Sequence, residues 1–126
     1  MPEQKNVLLV EDEPLLGNLL KQRLEREGIN VVLKRDGEEA LATLREFKPD
    51  LILLDIILPK ISGFEVLEQL KIDPQFERAP VIIVSNLGQD SDIAKGQSLG
   101  AVQYFVKARL SIEDLVEQAK LLLQMR

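Results

Sequence analysis

The chain has 126 residues, with 21 Asp+Glu against 16 Lys+Arg for a net charge of −5, and it contains no Cys, His or Trp. That length makes one domain of ordinary size, and the missing side chains exclude thiol chemistry, Ser-His-Asp triads, zinc sites with Cys or His ligands and imidazole acid/base catalysis. The acidic balance argues against nucleic acid or an anionic membrane as a direct partner, because both reward net positive charge.

The polar start, Met1 to Asn6, and the short apolar run that follows are unlike a signal or membrane segment, so the sequence reads as cytoplasmic. Val7-Leu8-Leu9-Val10 is the first predicted strand. The segment Glu13 to Glu27 has helical spacing of Leu15, Leu16, Leu19, Leu20 and Leu24, and Gly28 stands where a left-handed C-terminal cap is expected. Asn30-Val31-Val32-Leu33 is the second strand. Asp36 then caps a helix carrying Ala40, Leu41, Leu44 and Phe47, which stops before Lys48-Pro49-Asp50. Leu51-Ile52-Leu53-Leu54 is the third strand, and Phe64 to Ile72 the third helix, ended by Asp73-Pro74. Val81-Ile82-Ile83-Val84 leads to a helix from Asp90 to Leu99, closed by Gly100. Tyr104-Phe105-Val106 is the fifth strand. Ser111, three residues before Asp114, opens a last helix expected to run to Arg126. Its inward stripe is Ile112, Leu115, Val116, Ala119, Leu122 and Leu123, with Leu121 and Met125 off the stripe as a docking or dimer surface.

Strand and helix alternate five times with no linker, and continuously apolar strands suit a sheet covered on both faces. Right-handed crossovers then place helices on both sides of a parallel sheet, a doubly wound α/β domain of three layers spanning residues 1–126. Such folds bind ligands at the carboxyl ends of their strands. There the chain has Glu11, Asp12 and Glu13 after strand one, Asp55 after strand three, Ser85 and Asn86 after strand four, and Lys107 after strand five.

Carboxylates gathered at one sheet edge repel each other unless a cation sits among them. Oxygen ligands without His or Cys select a hard cation, of which Mg²⁺ is the first expectation. Asp55 ends an apolar strand and is followed by Ile56-Ile57-Leu58, so beside such a cation it can act as a nucleophile toward phosphorus and form an acyl phosphate. Ser85 and Lys107 then contact two phosphoryl oxygens. Plainer roles exist for each residue alone: Asp12 or Glu13 as a helix cap, Ser85 bonded to its own backbone, Lys107 as a solvated charge. Their joint placement after four strands favours a site.

These residues make the sequence resemble the receiver domain of two-component response regulators. The resemblance lies in residues 7–14 (VLLVEDEP), 49–64 (PDLILLDIILPKISGF), 80–85 (PVIIVS) and 100–107 (GAVQYFVK). It implies a flavodoxin-like (βα)5 fold with sheet order 2-1-3-4-5, and Asp55 as phosphoacceptor. Glu11 and Asp12, with Asp55 and the backbone carbonyl of Ile57, are implied to hold Mg²⁺, with Mn²⁺ as an alternative. Ser85 and Tyr104 are implied as the switch pair, and Lys107 as the partner of the phosphoryl group. The donor is then a phosphohistidine on a sensor histidine kinase or histidine phosphotransfer protein. Phosphorylation shifts Ser85 and Tyr104 inward and remodels the face of helix four, strand five and helix five, which controls a protein partner or a homodimer. With the last helix reaching Arg126, the expectation is a stand-alone receiver without an output domain, the alternative being a receiver cut from a longer chain.

Some positions depart from the family's pattern. Ala108 stands where Pro usually follows the lysine, so a trans Lys107-Ala108 bond is expected. Asn86 replaces a small residue beside Ser85. These two leave room for an alternative, a degenerate receiver that binds partners without phosphate. A phosphohydrolase resembling haloacid dehalogenases is disfavoured by Ile57, which stands where such enzymes place an acid. A dinucleotide site is disfavoured by Glu11-Asp12-Glu13, where a glycine-rich phosphate turn is needed. Ile57 and Leu87 flank the site where some receivers use polar residues to position water. The apolar pair is therefore expected to slow hydrolysis: after removal of the phosphodonor, label on Asp55 should outlast minutes, and its loss within seconds would refute the idea.

Overall fold

Strands with no polar interruption belong in the middle of a sheet, and three of this chain's strands are of that kind. The structure, a computed structural model, describes residues 4–76 and 79–125. Strands β1 (Asn6–Val10), β2 (Asn30–Lys34), β3 (Leu51–Leu54), β4 (Val81–Ser85) and β5 (Gln103–Val106) form one sheet in the order β2-β1-β3-β4-β5. All neighbouring pairs are parallel. Between and after them run α1 (Pro14–Arg26), α2 (Gly37–Leu44), α3 (Gly63–Ile72), α4 (Asp90–Ser98) and α5 (Ile112–Leu122). The apolar runs of β1, β3 and β4 occupy the three central positions, where both faces are covered.

Alternation of side chains along each strand divides the core in two. Val7, Leu9, Leu51, Leu53, Ile82 and Val84 face Leu20 and Leu24 of α1 and Leu115, Val116 and Ala119 of α5. Leu8, Val10, Ile52, Leu54, Val81 and Ile83 face Ala40 and Leu44 of α2 and Val66, Leu67 and Leu70 of α3. Three layers result, and no helix among the described residues is long and apolar enough to cross a membrane.

Helix boundaries follow their caps. Asp36, Ser62 and Ser111 accept hydrogen bonds from the amides of Glu39 (2.8 Å), Glu65 (3.3 Å) and Asp114 (3.2 Å). Gly28 and Gly100 take φ of +83° and +106° beyond the ends of α1 and α4, as the sequence predicts for left-handed caps.

Two expectations need correction. Leu15 and Leu19 fit the helical spacing of α1, yet they are 88% and 44% exposed, so only Leu16, Leu20 and Leu24 of that series turn inward. The last helix stops at Leu122, and Met125 packs on the core instead of facing away. Gln124 turns left-handed at φ +58°; its amide donates to the Leu121 carbonyl, and the Met125 amide to the Lys120 carbonyl. Those bonds make a Schellman cap, which folds the next apolar side chain back onto the helix. Leu121 remains exposed as expected. Single 3₁₀ turns at Pro74–Phe76 and Lys107–Arg109 were not anticipated from the sequence.

The loop from β3 to α3 is tied down at several points. The Gly63 amide donates to the Ile56 carbonyl at 2.8 Å, and the Gly37 amide reaches the Pro59 carbonyl at 3.5 Å. Lys60, at φ +70°, sets its ammonium 3.7 Å from both Asp36 and Glu38. A Cβ at Gly63 would run into the Asp55 carbonyl oxygen and lie 2.7 Å from Ile56 Cα. Gly63→Ala should therefore destabilise the fold by about 1–3 kcal/mol, as overpacking against fixed backbone does. Urea unfolding measures this, and an unchanged midpoint would contradict the close approach.

Candidate functional site

The parallel ladder continues one residue beyond the central strands. The Glu11 amide donates to the Lys34 carbonyl (2.9 Å), and the Asp55 amide to the Val10 carbonyl (3.0 Å). Both carboxylates are thereby fixed side by side at the carboxyl edge of the sheet, and both are buried, at 1% and 3% exposure. Asp12 joins them from nearer the surface: Glu11, Asp12 and Asp55 each offer a carboxylate oxygen within 4.8 Å of the others.

Lys107 reaches this cluster from the far side of the sheet edge, with its side chain only 7% exposed. Its ammonium stands 2.7 Å from Asp55 Oδ2, 3.0 Å from Glu11 Oε2 and 2.6 Å from Glu13 Oε2. The solvated-charge reading of Lys107 is thus excluded by geometry. Two backbone amides complete the network, Ile57 donating to Asp55 Oδ1 (3.2 Å) and Glu13 to Glu11 Oε2 (3.0 Å). No buried side-chain polar atom among the described residues lacks a partner.

Burial dominates the titration of Glu11. Removal from water pushes its carboxyl up to about 7 and the Asp55 charge adds to the rise, against the opposing hydrogen bonds from the Glu13 amide and Lys107. For Lys107 burial acts in the opposite direction, favouring the neutral amine. The hydrogen bonds to Asp55, Glu13 and Glu11 outweigh it and hold the ammonium above the usual lysine range.

Ser85 is fully buried at the end of β4. Its Oγ accepts from the Leu87 amide at 3.2 Å, while the Tyr104 hydroxyl donates to the Leu87 carbonyl at 2.6 Å. The two residues expected to switch therefore hold opposite backbone groups of one residue. Burial, then the charge of Asp92, holds the Tyr104 phenol above its ordinary range. The ring lies against α4 at Gly96, where a Cβ would sit 3.1 Å from Tyr104 Cδ2 and 2.6 Å from Ile83 Cδ1. Asn86 and Ala108 are exposed, and the Lys107-Ala108 bond is trans as expected, since no described peptide bond is cis. Ile57 is 51% exposed, whereas Leu87 is half-buried against the core.

Sequence reasoning missed two things. It counted Glu13 among the acids without foreseeing its contact with Lys107, and it treated Leu87 only as a flank. The Glu13-Pro14 pair does carry a signal: Pro at the first helical position makes Glu13 the cap residue. Nothing local reveals that its side chain turns to a lysine 94 residues on.

Comparison with known proteins places this geometry in context. The family model described as response regulator receiver domain matches residues 7–120. The phosphate regulon transcriptional regulatory protein PhoB of Rhizobium meliloti is 38% identical over 118 residues, 94% of this chain and 52% of that protein. The chain spans about half the length of this and the next curated relatives it matches. The polar-differentiation response regulator DivK of Brucella anthropi is 37% identical over 92% of this chain and 94% of its own length. Among solved structures, the phosphorylated cyanobacterial phytochrome response regulator RcpA superposes with a TM-score of 0.82 at 35% identity, covering 94% of this chain and 90% of that one. A CheY-like receiver domain protein from Methanospirillum hungatei gives 0.87 at 30% identity, over 97% and 95%.

Because Glu11 titrates higher in the folded than in the unfolded chain, the native state holds the extra proton between about pH 4.5 and 7. Stability from this group is full below that window and falls as pH rises through it. In chelator, urea unfolding from about pH 5 to about pH 8 should cost the wild type about 2–3 kcal/mol more than Glu11→Gln. Parallel profiles for the two proteins would contradict the assignment.

Proposed function

We propose, from the premise that the chain belongs to the response regulator receiver domain family, that Asp55 accepts a phosphoryl group from a phosphohistidine on a sensor histidine kinase or histidine phosphotransfer protein. The observation that carries the reading is the Lys107 ammonium 2.7 Å from a buried Asp55 whose carboxylate also belongs to a three-acid cluster. One Asp55 oxygen bonds to phosphorus as the donor's P–N bond breaks. The bonding pair leaves with the imidazole, whose other nitrogen carries a proton, so the ring departs neutral. Hydrolysis later returns the Asp55 carboxylate and free phosphate. The protein is a signalling switch and not an enzyme with an external substrate; the only turnover we assign is its own phosphorylation and dephosphorylation.

Glu11, Asp12 and Asp55 present carboxylate oxygens alone, which fits a hard divalent cation such as Mg²⁺ or Mn²⁺. We add the Ile57 backbone carbonyl to that set. When bound, such an ion offsets the negative charge of the reacting phosphoryl group. Lys107 neutralises a second share of that charge, and Ser85 supplies a hydroxyl at the end of β4.

Leu87 supports a route from site to surface, because Ser85 and Tyr104 both hold it. A phosphoryl oxygen that attracts the Ser85 hydroxyl loosens the hold on the Leu87 amide, and Tyr104 responds from the other side. The remodelled face is that of α4, β5 and α5; Val102 in the turn before β5 and Leu121 on α5 are 51% and 64% exposed. A protein partner or second copy meets the chain there, in the cytoplasm. The intact set of Glu11, Asp12, Asp55, Ser85 and Lys107 favours this switch over phosphate-independent binding.

Incubation with Mg²⁺ and acetyl phosphate or phosphoramidate, followed by intact mass, tests the reading. The wild type should gain one phosphoryl group and Asp55→Asn none. No gain from any donor would instead favour a receiver that works without phosphate.

A further inference from the structure

We infer that Glu13 is a positioning residue: its carboxylate is a releasable latch on Lys107 that must let go for the phosphoryl group to be held. The inference rests on the phosphoacceptor role of Asp55. An ammonium has three N–H donors, and Lys107 directs them to Asp55, Glu11 and Glu13. A phosphoryl group approaching Asp55, which is a carboxylate until the new bond forms, therefore finds Lys107 fully engaged, and one carboxylate must withdraw for the ammonium to reach it.

Burial decides which one. Asp55 and Glu11 are 3% and 1% exposed, so neither recovers water on losing the lysine. The Glu13 side chain is 52% exposed and rehydrates in place. Glu13 also lies outside the group of acids that offer oxygens to a common point, so its release does not disturb a cation site.

The helix start makes no competing demand on this side chain. Glu13 is the N-cap of α1, yet its side chain makes no capping hydrogen bond. Short polar residues at a cap turn the side chain back to a free amide of the first turn, a role the longer Glu side chain does not take here. Here the carboxylate reaches the lysine at 2.6 Å instead, the shortest of the three contacts. The latch thus biases the switch toward rest by the strength of a half-exposed ion pair, a factor of up to about five.

Rates of phosphorylation by acetyl phosphate and by the less negatively charged phosphoramidate test this in wild type, Glu13→Gln and Glu13→Asp. Far-UV circular dichroism serves as a check on folding. If Glu13 grips Lys107, Glu13→Gln is faster by about three- to fivefold with both donors. Glu13→Asp, which keeps the charge and loses the reach, behaves like Glu13→Gln, and Mg²⁺ affinity is unchanged in both. If Glu13 merely repels the donor, Glu13→Asp matches the wild type and the gain in Glu13→Gln is larger with acetyl phosphate, which overturns the latch. A wild type that labels beside an unchanged or slower Glu13→Gln overturns the latch alone. A wild type that takes no label from either donor overturns the phosphoacceptor reading and the latch with it.

Discussion

Among the described residues, the ammonium of Lys107 joins the ends of β1, β3 and β5 through side chains. Two of its three acidic partners are buried, and without a cation nearby their charges would oppose the closing of the sheet edge. The hydrophobic layers and ladder hydrogen bonds set the strands side by side, and this contact ties the side chains of three strand ends to one another. One ammonium serves three acids, so the resting site is only partly balanced and keeps a negative surplus that a divalent cation would offset. Chemistry that adds negative charge to Asp55 must therefore rearrange partners as well as form a bond.

Rigid backbone underlies that balance. Asp55 and Glu11 are held by ladder hydrogen bonds of their own amides, so neither relieves repulsion by drifting. The loop beyond Asp55 is pinned at Gly63, where main chain approaches main chain, and at Gly37 and Lys60, where it meets the start of α2. Glu13, Tyr104 and the segment around Leu87 are instead held through side-chain hydrogen bonds.

Most of the fold was legible because it rests on local signals. Uninterrupted runs marked β1, β3 and β4, and Asp36 and Ser111 marked helix starts through a carboxylate or hydroxyl that one amide needs. What escaped notice depends on geometry at a distance. Leu15 and Leu19 match the apolar period of α1 but lie beyond the rim of the layer that covers Leu20 and Leu24. Met125 looked like an outward residue because a straight helix was assumed, and the left-handed turn at Gln124 reverses its direction. In the site, the residue types and their strand positions were readable, since topology alone brings strand ends together. Which acid meets which donor was not, because long side chains choose among several partners.

Tyr104 has a further property that follows from composition and position together. It is the chain's one Tyr, and there is no Trp. Its hydroxyl is bonded to a backbone carbonyl and its ring rests against Gly96 and Ile83. Emission excited at wavelengths beyond Phe absorption therefore originates from a single ring, beside the end of β4. Under the proposed switch, that ring is an optical gauge of the segment around Leu87, read without a dye or an added residue.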